Sequence, residues 1–210
     1  MGLLDENIVE QLKAYFDKIE TPIEIIAFLN DSNKSKELKG FLEEVDAITS
    51  KVNVVKKVFG EDDILEKKLE ITRPISFTLT KSGEKTGINF FGIPGGHEFN
   101  SFILAILGLS GLGKKLEGEQ LEKVQAINKS LNIETFVSLS CTKCPEVIQG
   151  LNIISMANNN ITSSFVDGGI YPEEVKEKNI QGVPVIFING QKASAGEKTI
   201  EELISLIASA

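Results

Sequence analysis

The chain has 210 residues, 41% of them hydrophobic and 25% charged, and carries a formal net charge of −8. That composition suits a folded protein with a buried core, not a disordered or fibrous one, and the length suits one large domain or two units of roughly 100 residues each. The acidic balance, without any basic stripe, argues against a phosphate-neutralising grip on nucleic acid, and the most apolar stretch, Phe102 to Leu112, is far short of the ~20 residues that cross a bilayer.

The opening MGLLDENIVEQLK has acids where a secretory signal would have basic residues, so no signal peptide is expected and a cytoplasmic setting follows. Met1-Gly2 superficially matches a myristoylation start, for which a cloning scar or plain initiation is the simpler explanation. Ile8, Leu12, Tyr15, Phe16 and Ile19 fall at helical spacing. IEIIAFL (Ile23 to Leu29) reads as a buried strand, and Leu38, Phe41, Leu42, Val45 and Ile48 mark a second helix. Strand Val52 to Val58 follows, then an acidic helical stretch from Glu61 to Leu69. Next come strand Ile75 to Leu79, a turn at Ser82-Gly83, strand Gly87 to Phe91 and an apolar helix starting near His97.

The same order then recurs. Leu121, Val124, Ile127 and Leu131 carry a helix, and Thr135 to Leu139 a strand. Val147, Ile148, Leu151 and Ile154 place a helix just after the two cysteines. Strand Ile161 to Val166, a helix near Tyr171 to Lys178, strands around Val185 to Ile188 and Lys192 to Ser194, and a closing helix Thr199 to Leu206 complete the copy. Asn189-Gly190 is a hairpin signal. An offset of 110 residues lays Leu29 on Leu139, Pro74 on Pro184 and Phe77 on Phe187, and puts Asp31-Ser32-Asn33-Lys34 in the place of Cys141-Thr142-Lys143-Cys144. The expected architecture is α/β, two fused repeats of one fold sharing a mixed sheet, divided at 1–116 and 117–210, with the cysteines only in the second.

Two cysteines spaced by two residues cannot staple a chain of this size; in a reducing compartment they point to chemistry. A strand ending at Ser140 would deliver Cys141 to a helix start, where free backbone N–H groups and the helix dipole favour a thiolate, with Lys143 adding positive charge. Cys141 is then the attacking sulfur and Cys144, one turn on, the resolving one. Pro145 is tolerable so near a helix start. Three other readings stay open: half of a zinc site, for which His97 is the sole histidine and no further cysteine exists; a structural disulfide; or two inert buried thiols. Val183-Pro184 precedes an apolar strand, where an X-Pro bond is either cis or an ordinary edge proline.

Strand, CxxC at a helix start, Gly182-Val183-Pro184 and a hairpin together resemble the thioredoxin superfamily. Across the whole chain QLKAYFDKIETPIEI, GGHEFNSFILAIL, SLSCTKCPEVIQGLNIIS, FVDGG and GVPVIFINGQ resemble the N-terminal domain of the flavoprotein (F) component of alkyl hydroperoxide reductase, a family with a double thioredoxin-like fold. The resemblance implies a dithiol–disulfide carrier that takes electrons from NADH through FAD and reduces the disulfide of a peroxiredoxin, the C-type subunit. Cys141 and Cys144 would be the shuttle pair, and Thr142, Lys143 and a cis Val183-Pro184 step would touch the partner. No dinucleotide-binding GxGxxG follows a strand, so the chain is expected to hold no cofactor or metal, with FAD and NADH on a following domain or a separate reductase.

Thioredoxins proper place an acid six residues before the first cysteine, where this chain has Thr135. The resembling family instead brings a glutamate from its cysteine-free repeat, which corresponds to Glu98 in the HEF motif. Read from the residues alone, Glu98 is an acid in the first turn of a helix, favoured by the dipole. The alternatives to a peroxiredoxin-directed carrier are a free-standing glutaredoxin-like or protein disulfide reductase and a non-catalytic docking module.

Overall fold

The computed structural model describes residues 5–210; the Met1-Gly2 start lies outside them. Helix α1 (Glu6–Phe16) is capped by the Asp5 carboxylate, which accepts from the Asn7 N–H, and buries Leu12 and Phe16. Strand β1 (Ile23–Leu29), helix α2 (Asn33–Ile48), strand β2 (Val52–Val58) and the short α3 (Asp63–Leu69) follow. The hairpin β3 (Ser76–Lys81) and β4 (Glu84–Phe91) turns at Ser82-Gly83, whose φ values of 53° and 77° suit a tight hairpin turn. A 3₁₀ turn, Gly96–Glu98, leads into α4 (Phe99–Leu109).

The second copy comprises α5 (Gly118–Gln125), β5 (Leu131–Val137), α6 (Cys144–Ala157), β6 (Ile161–Asp167), α7 (Pro172–Glu177), the hairpin β7 (Val185–Ile188) and β8 (Gln191–Ala195), and α8 (Ile200–Ser209). Asn189 and Gly190 turn this hairpin with φ of 50° and 78°. Thr199 and Glu202 close a reciprocal capping box at the start of α8.

All eight strands form one sheet in the order β2-β1-β3-β4-β6-β5-β7-β8, so each half has the same internal arrangement and the halves meet where β4 runs parallel to β6. Because strand side chains alternate between faces, neighbours divide between two cores. Ile25, Ala27, Phe90, Val137 and Phe165 point toward α1, α2, α4 and the start of α6. Ile26, Phe28, Phe91, Phe136 and Val166 point to the face that α3 and α7 cover. A separate cluster joins α5, α6 and α8 to the second half of the sheet. Phe90 of β4 meets Phe165 of β6 at 5.6 Å, so the aromatic core runs through the junction.

Three expectations need correction. Leu131 is the first residue of β5, not part of a helix: its N–H donates to Asn160 O at 2.8 Å and the parallel ladder with β6 starts there, so its helical spacing from Ile127 is incidental. Strand β5 also ends at Val137, three residues before Ser140. Finally, a uniform offset of 110 would pair Phe187 with Val137, as Phe77 pairs with Ala27, but Phe187 pairs with Glu134. The observed registers map β1 onto β5 by 108 residues, and β2 onto β6 and β3 onto β7 by 109.

Candidate redox site

Strands β1, β4, β5 and β6 run in one direction, so their C-terminal ends share one edge of the sheet. The site is assembled there. After Val137 the chain turns through Ser138 to Lys143, closed by the Cys141 N–H donating to Ser138 O at 2.9 Å. Helix α6 begins only at Cys144, with Pro145 in its first turn, where the missing N–H costs no hydrogen bond. Cys141 therefore sits ahead of the helix, not within its first turn as the sequence suggested. Its Sγ accepts from the Cys144 N–H at 3.2 Å, so it acts as a sulfur cap at the positive end of the helix dipole.

Cys141 and Cys144 form a disulfide with Cα atoms 5.6 Å apart. Cys144 is wholly buried and packs in the cluster that contains Ile93, Phe102 and Ile103 of the first repeat, whereas Cys141 is half-buried at the surface. Val183-Pro184 is the cis peptide among the described residues, and the Val183 carbonyl oxygen lies 3.8 Å from Cys141 Sγ. Pro184 is buried; Thr142 and Lys143 are exposed. Lys143 does not act on the sulfurs alone, because its ammonium is 3.2 Å from the Glu197 carboxylate in the loop between β8 and α8. Nothing in the sequence around Glu197 announced that partner.

Glu98 closes the 3₁₀ turn, and that turn packs against α6. The backbone ties it to the cysteine loop: the His97 N–H donates to Leu139 O at 3.1 Å. The contact depends on Gly96, since a Cβ there would come within 2.5 Å of the same oxygen. His97 itself is exposed, whereas Glu98 is fully buried and neither of its carboxylate oxygens has a hydrogen-bond partner among the described residues. Burial pushes its pKa up to about 7, opposed in part by the nearby Ser101 hydroxyl. Thr135, in the place of the thioredoxin acid, is also buried, and its hydroxyl has no partner among the described residues. Asp167 at the end of β6 is buried too; burial raises its pKa while the Gly169 N–H, donating at 2.9 Å, holds it down.

The first repeat has its own version of the cysteine turn. Its helix α2 is capped by Ser32, whose Oγ accepts from the Ser35 N–H at 3.1 Å, and Ser35 is buried as Cys144 is. Ser32-Asn33-Lys34-Ser35 therefore stands where Cys141-Thr142-Lys143-Cys144 stands, one residue later than the uniform offset placed it. By the same 109-residue mapping Pro184 corresponds to Ile75 and not to Pro74.

A second feature invisible in the sequence joins the repeats. Arg73, 12% exposed, forms ion pairs with Glu134 and Glu174 and stacks over Phe91 and Tyr171, at 4.5 and 5.2 Å from the ring centres. The Tyr171 hydroxyl donates to Pro74 O at 2.7 Å. Among the described residues no cluster of three or more His, Cys, Asp or Glu side chains could hold a metal, and no helix is long and apolar enough to cross a membrane.

The thioredoxin-domain family matches residues 131–208. The F subunit of alkyl hydroperoxide reductase from Pseudomonas aeruginosa is 39% identical over 205 residues, 98% of this chain and 37% of that protein. Its Escherichia coli counterpart matches with the same identity and coverage. The chain thus spans just over a third of the length of these relatives. The crystal structure of the NTD_N/C domain of alkylhydroperoxide reductase AhpF from Enterococcus faecalis superposes with a TM-score of 0.90 at 33% identity, covering 96% of this chain and 98% of that one. The chain belongs to the family of AhpF N-terminal domains, and with its single CxxC disulfide it is a thiol–disulfide oxidoreductase.

Proposed function

We propose that this chain relays two electrons at a time from a flavoprotein, which draws them from NADH through FAD, to the disulfide of a peroxiredoxin in cytoplasmic hydroperoxide detoxification. FAD and NADH act on a further domain or a separate reductase; this chain contributes only its dithiol. The observation that carries the reading is the unequal setting of the two sulfurs: Cys141 is half-buried beside the Val183 carbonyl, and Cys144 is sealed in a core built largely by the first repeat.

In the reduced state the Cys141 thiolate, favoured by the Cys144 N–H and the α6 dipole, attacks one sulfur of the partner disulfide. The bond between the two peroxiredoxin sulfurs breaks, and a mixed disulfide forms on Cys141. The exposed Thr142 and Lys143 and the Val183-Pro184 step flank this sulfur and would hold the partner's chain. Cys144 then gives up its proton and attacks Cys141 Sγ, breaking the mixed disulfide; the partner, having gained two electrons, leaves with both sulfurs as thiolates that take their protons from solvent. Glu98, with a pKa near neutrality from burial, is the group we assign to receive that proton. The division at 1–116 and 117–210 then separates a carboxyl-supplying repeat from a sulfur-supplying one.

The test is transfer to a peroxiredoxin disulfide, compared with reduction of insulin. Cys141→Ser should abolish transfer, and Cys144→Ser should accumulate a mixed disulfide visible by mass spectrometry. Loss in the second variant without an adduct overturns the roles. Insulin reduction without peroxiredoxin preference overturns the partner in favour of a general disulfide reductase.

A further inference from the structure

The junction of the repeats carries a groove for which the redox chemistry has no use. Between α4, α6 and the link from Ser110 to Glu117 lies a cavity of about 120 Å³, which opens past Gly108, Ile153 and Met156 into an outer groove of about 430 Å³. Two glycines allow the link to lie this close. A Cβ on Gly108 would come within 2.7 Å of Met156 Cε, and one on Gly113 within 2.7 Å of Gly108 Cα.

The walls are apolar through the middle, with Leu104, Ala105 and Met156 inside and Leu116 and Leu121 further out. The two ends are polar in different ways. At the inner end sits Asn152, 3% exposed. Its Oδ1 accepts from the Ser163 hydroxyl at 2.8 Å, but its Nδ2 has no partner among the described residues. A buried amide donor left unmade is costly and calls for an acceptor. Around the outer groove stand Lys81, whose ammonium donates to Leu109 O at 2.7 Å, Lys115, and Lys114, which reaches the inner cavity as well; no Asp or Glu lines either compartment. In a chain of net charge −8 this is a local reversal of sign around an apolar surface.

We propose that this groove binds a medium-chain, unbranched carboxylate that carries an oxygen function near its far end. The carboxylate meets the lysines, the methylenes lie along Met156, Leu116 and Leu121, and the far oxygen accepts from Asn152 Nδ2. Each part of the ligand follows from one observation: the charge from Lys114 and Lys115, the unbranched body from the apolar walls drawn together at Gly108 and Gly113, and the distal acceptor from the unpartnered amide.

Calorimetric titration of the whole chain with ω-hydroxydecanoate, decanoate and decanol tests this. Saturable binding is expected in that order of affinity. Lys114→Gln combined with Lys115→Gln should weaken both acids about tenfold and leave decanol unchanged. Asn152→Ala should remove the advantage of the hydroxy acid over decanoate. No saturable binding up to about 1 mM, equal affinity for decanol and decanoate, no preference for the hydroxy acid, or full binding in the double lysine variant would each overturn the proposal. If Asn152→Ala fails to fold, the ranking in the unmodified chain and the lysine variant still decide.

Discussion

The turns that follow β1 and β5 are the same device with different contents. In each, a side chain just ahead of a helix accepts the N–H of the residue three positions on, Ser32 from Ser35 at 3.1 Å and Cys141 from Cys144 at 3.2 Å, and in each the second residue is buried. The contents diverge from there. Ser35 and Ser32 are absorbed in a local network, where Asn30 Oδ1 accepts both the Ser35 hydroxyl and the Ser32 N–H. Opposite, Ile75 with φ of 62° takes the place of the cis Pro184. The fold thus builds a pair of adjacent, unequally exposed positions wherever a strand feeds a helix in this way, and redox chemistry needs two further things: sulfur at both positions and a titratable neighbour. The first repeat lacks the sulfurs but places the buried Glu98 on a turn packed against α6, the residue proposed above as that neighbour; the second has the sulfurs and only Thr135 where thioredoxins have an acid.

The largest effect expected from blurring this contrast comes from making the second turn like the first. Cys141→Ser combined with Cys144→Ser should remove disulfide transfer entirely while the chain still folds, because serine caps the equivalent helix α2; the buried hydroxyl at 144, without the Asn30 acceptor that Ser35 has, should cost about 1–3 kcal/mol. A collapse of the fold would show that the sulfurs are structural.

Next in size is Glu98. Its carboxyl has a higher pKa folded than unfolded, so the folded chain binds more protons between the two values. The favourable neutral form is fully available below the unfolded value of 4.5, and stability is lost as pH rises through about 7. Glu98→Gln removes that loss, and should gain about 3 kcal/mol relative to the parent on going from pH 4 to pH 8, since each tenfold change in an acid constant corresponds to about 1.36 kcal/mol. Denaturant titration at both pH values measures it; parallel curves for parent and variant would place the carboxylate in contact with solvent.

Arg73→Ala tests whether the repeats are one cooperative body. It leaves Glu134 and Glu174 without their shared cation, and a loss of about 2 kcal/mol is expected, below the range for a wholly buried pair because both acids keep some solvent. A single cooperative transition that stays single in the variant would mean that the β4–β6 ladder and the Phe90–Phe165 contact suffice.

Ser32→Cys with Ser35→Cys runs the comparison the other way. A second disulfide should form on mild oxidation, raising the count from one to two by thiol titration and mass. Reduction of protein disulfides by this pair alone should stay poor, since Ile75 stands opposite it. The smallest effect is expected for Glu197→Gln. Freeing Lys143 should favour the Cys141 thiolate slightly at low salt, because the cation is then no longer shared with a carboxylate, read from thiolate absorbance against pH. No change would confine the ion pair to the loop's conformation.

Most elements were legible because their residues interact with near neighbours in sequence. IEIIAFL and VNVVKKV are β1 and β2 residue for residue, Ser82-Gly83 and Asn189-Gly190 turn the hairpins, and Thr199 caps α8. The errors lie where a distant strand decides. Leu131 joined a helix in the sequence because Ile127 sits one turn before it, but pairing with Ile161 draws it into β5. The gapless offset hid one residue: Ser32 follows the end of β1 by three positions and Cys141 follows the end of β5 by four.

By itself the sequence determined the repeat, the pairing of two sulfurs near a helix start and the family to which they belong, because spacing, turn residues and motif identity are properties of the chain read in order. Only the tertiary structure decided that the first repeat supplies most of the core around Cys144, that Lys143 shares its charge with Glu197, that Arg73 spans the two repeats, and that Glu98 is stripped of water beside the cysteine loop. Burial and ion pairing depend on segments as far as 101 residues apart meeting in space, as Arg73 and Glu174 do, and no local pattern encodes which of them will meet.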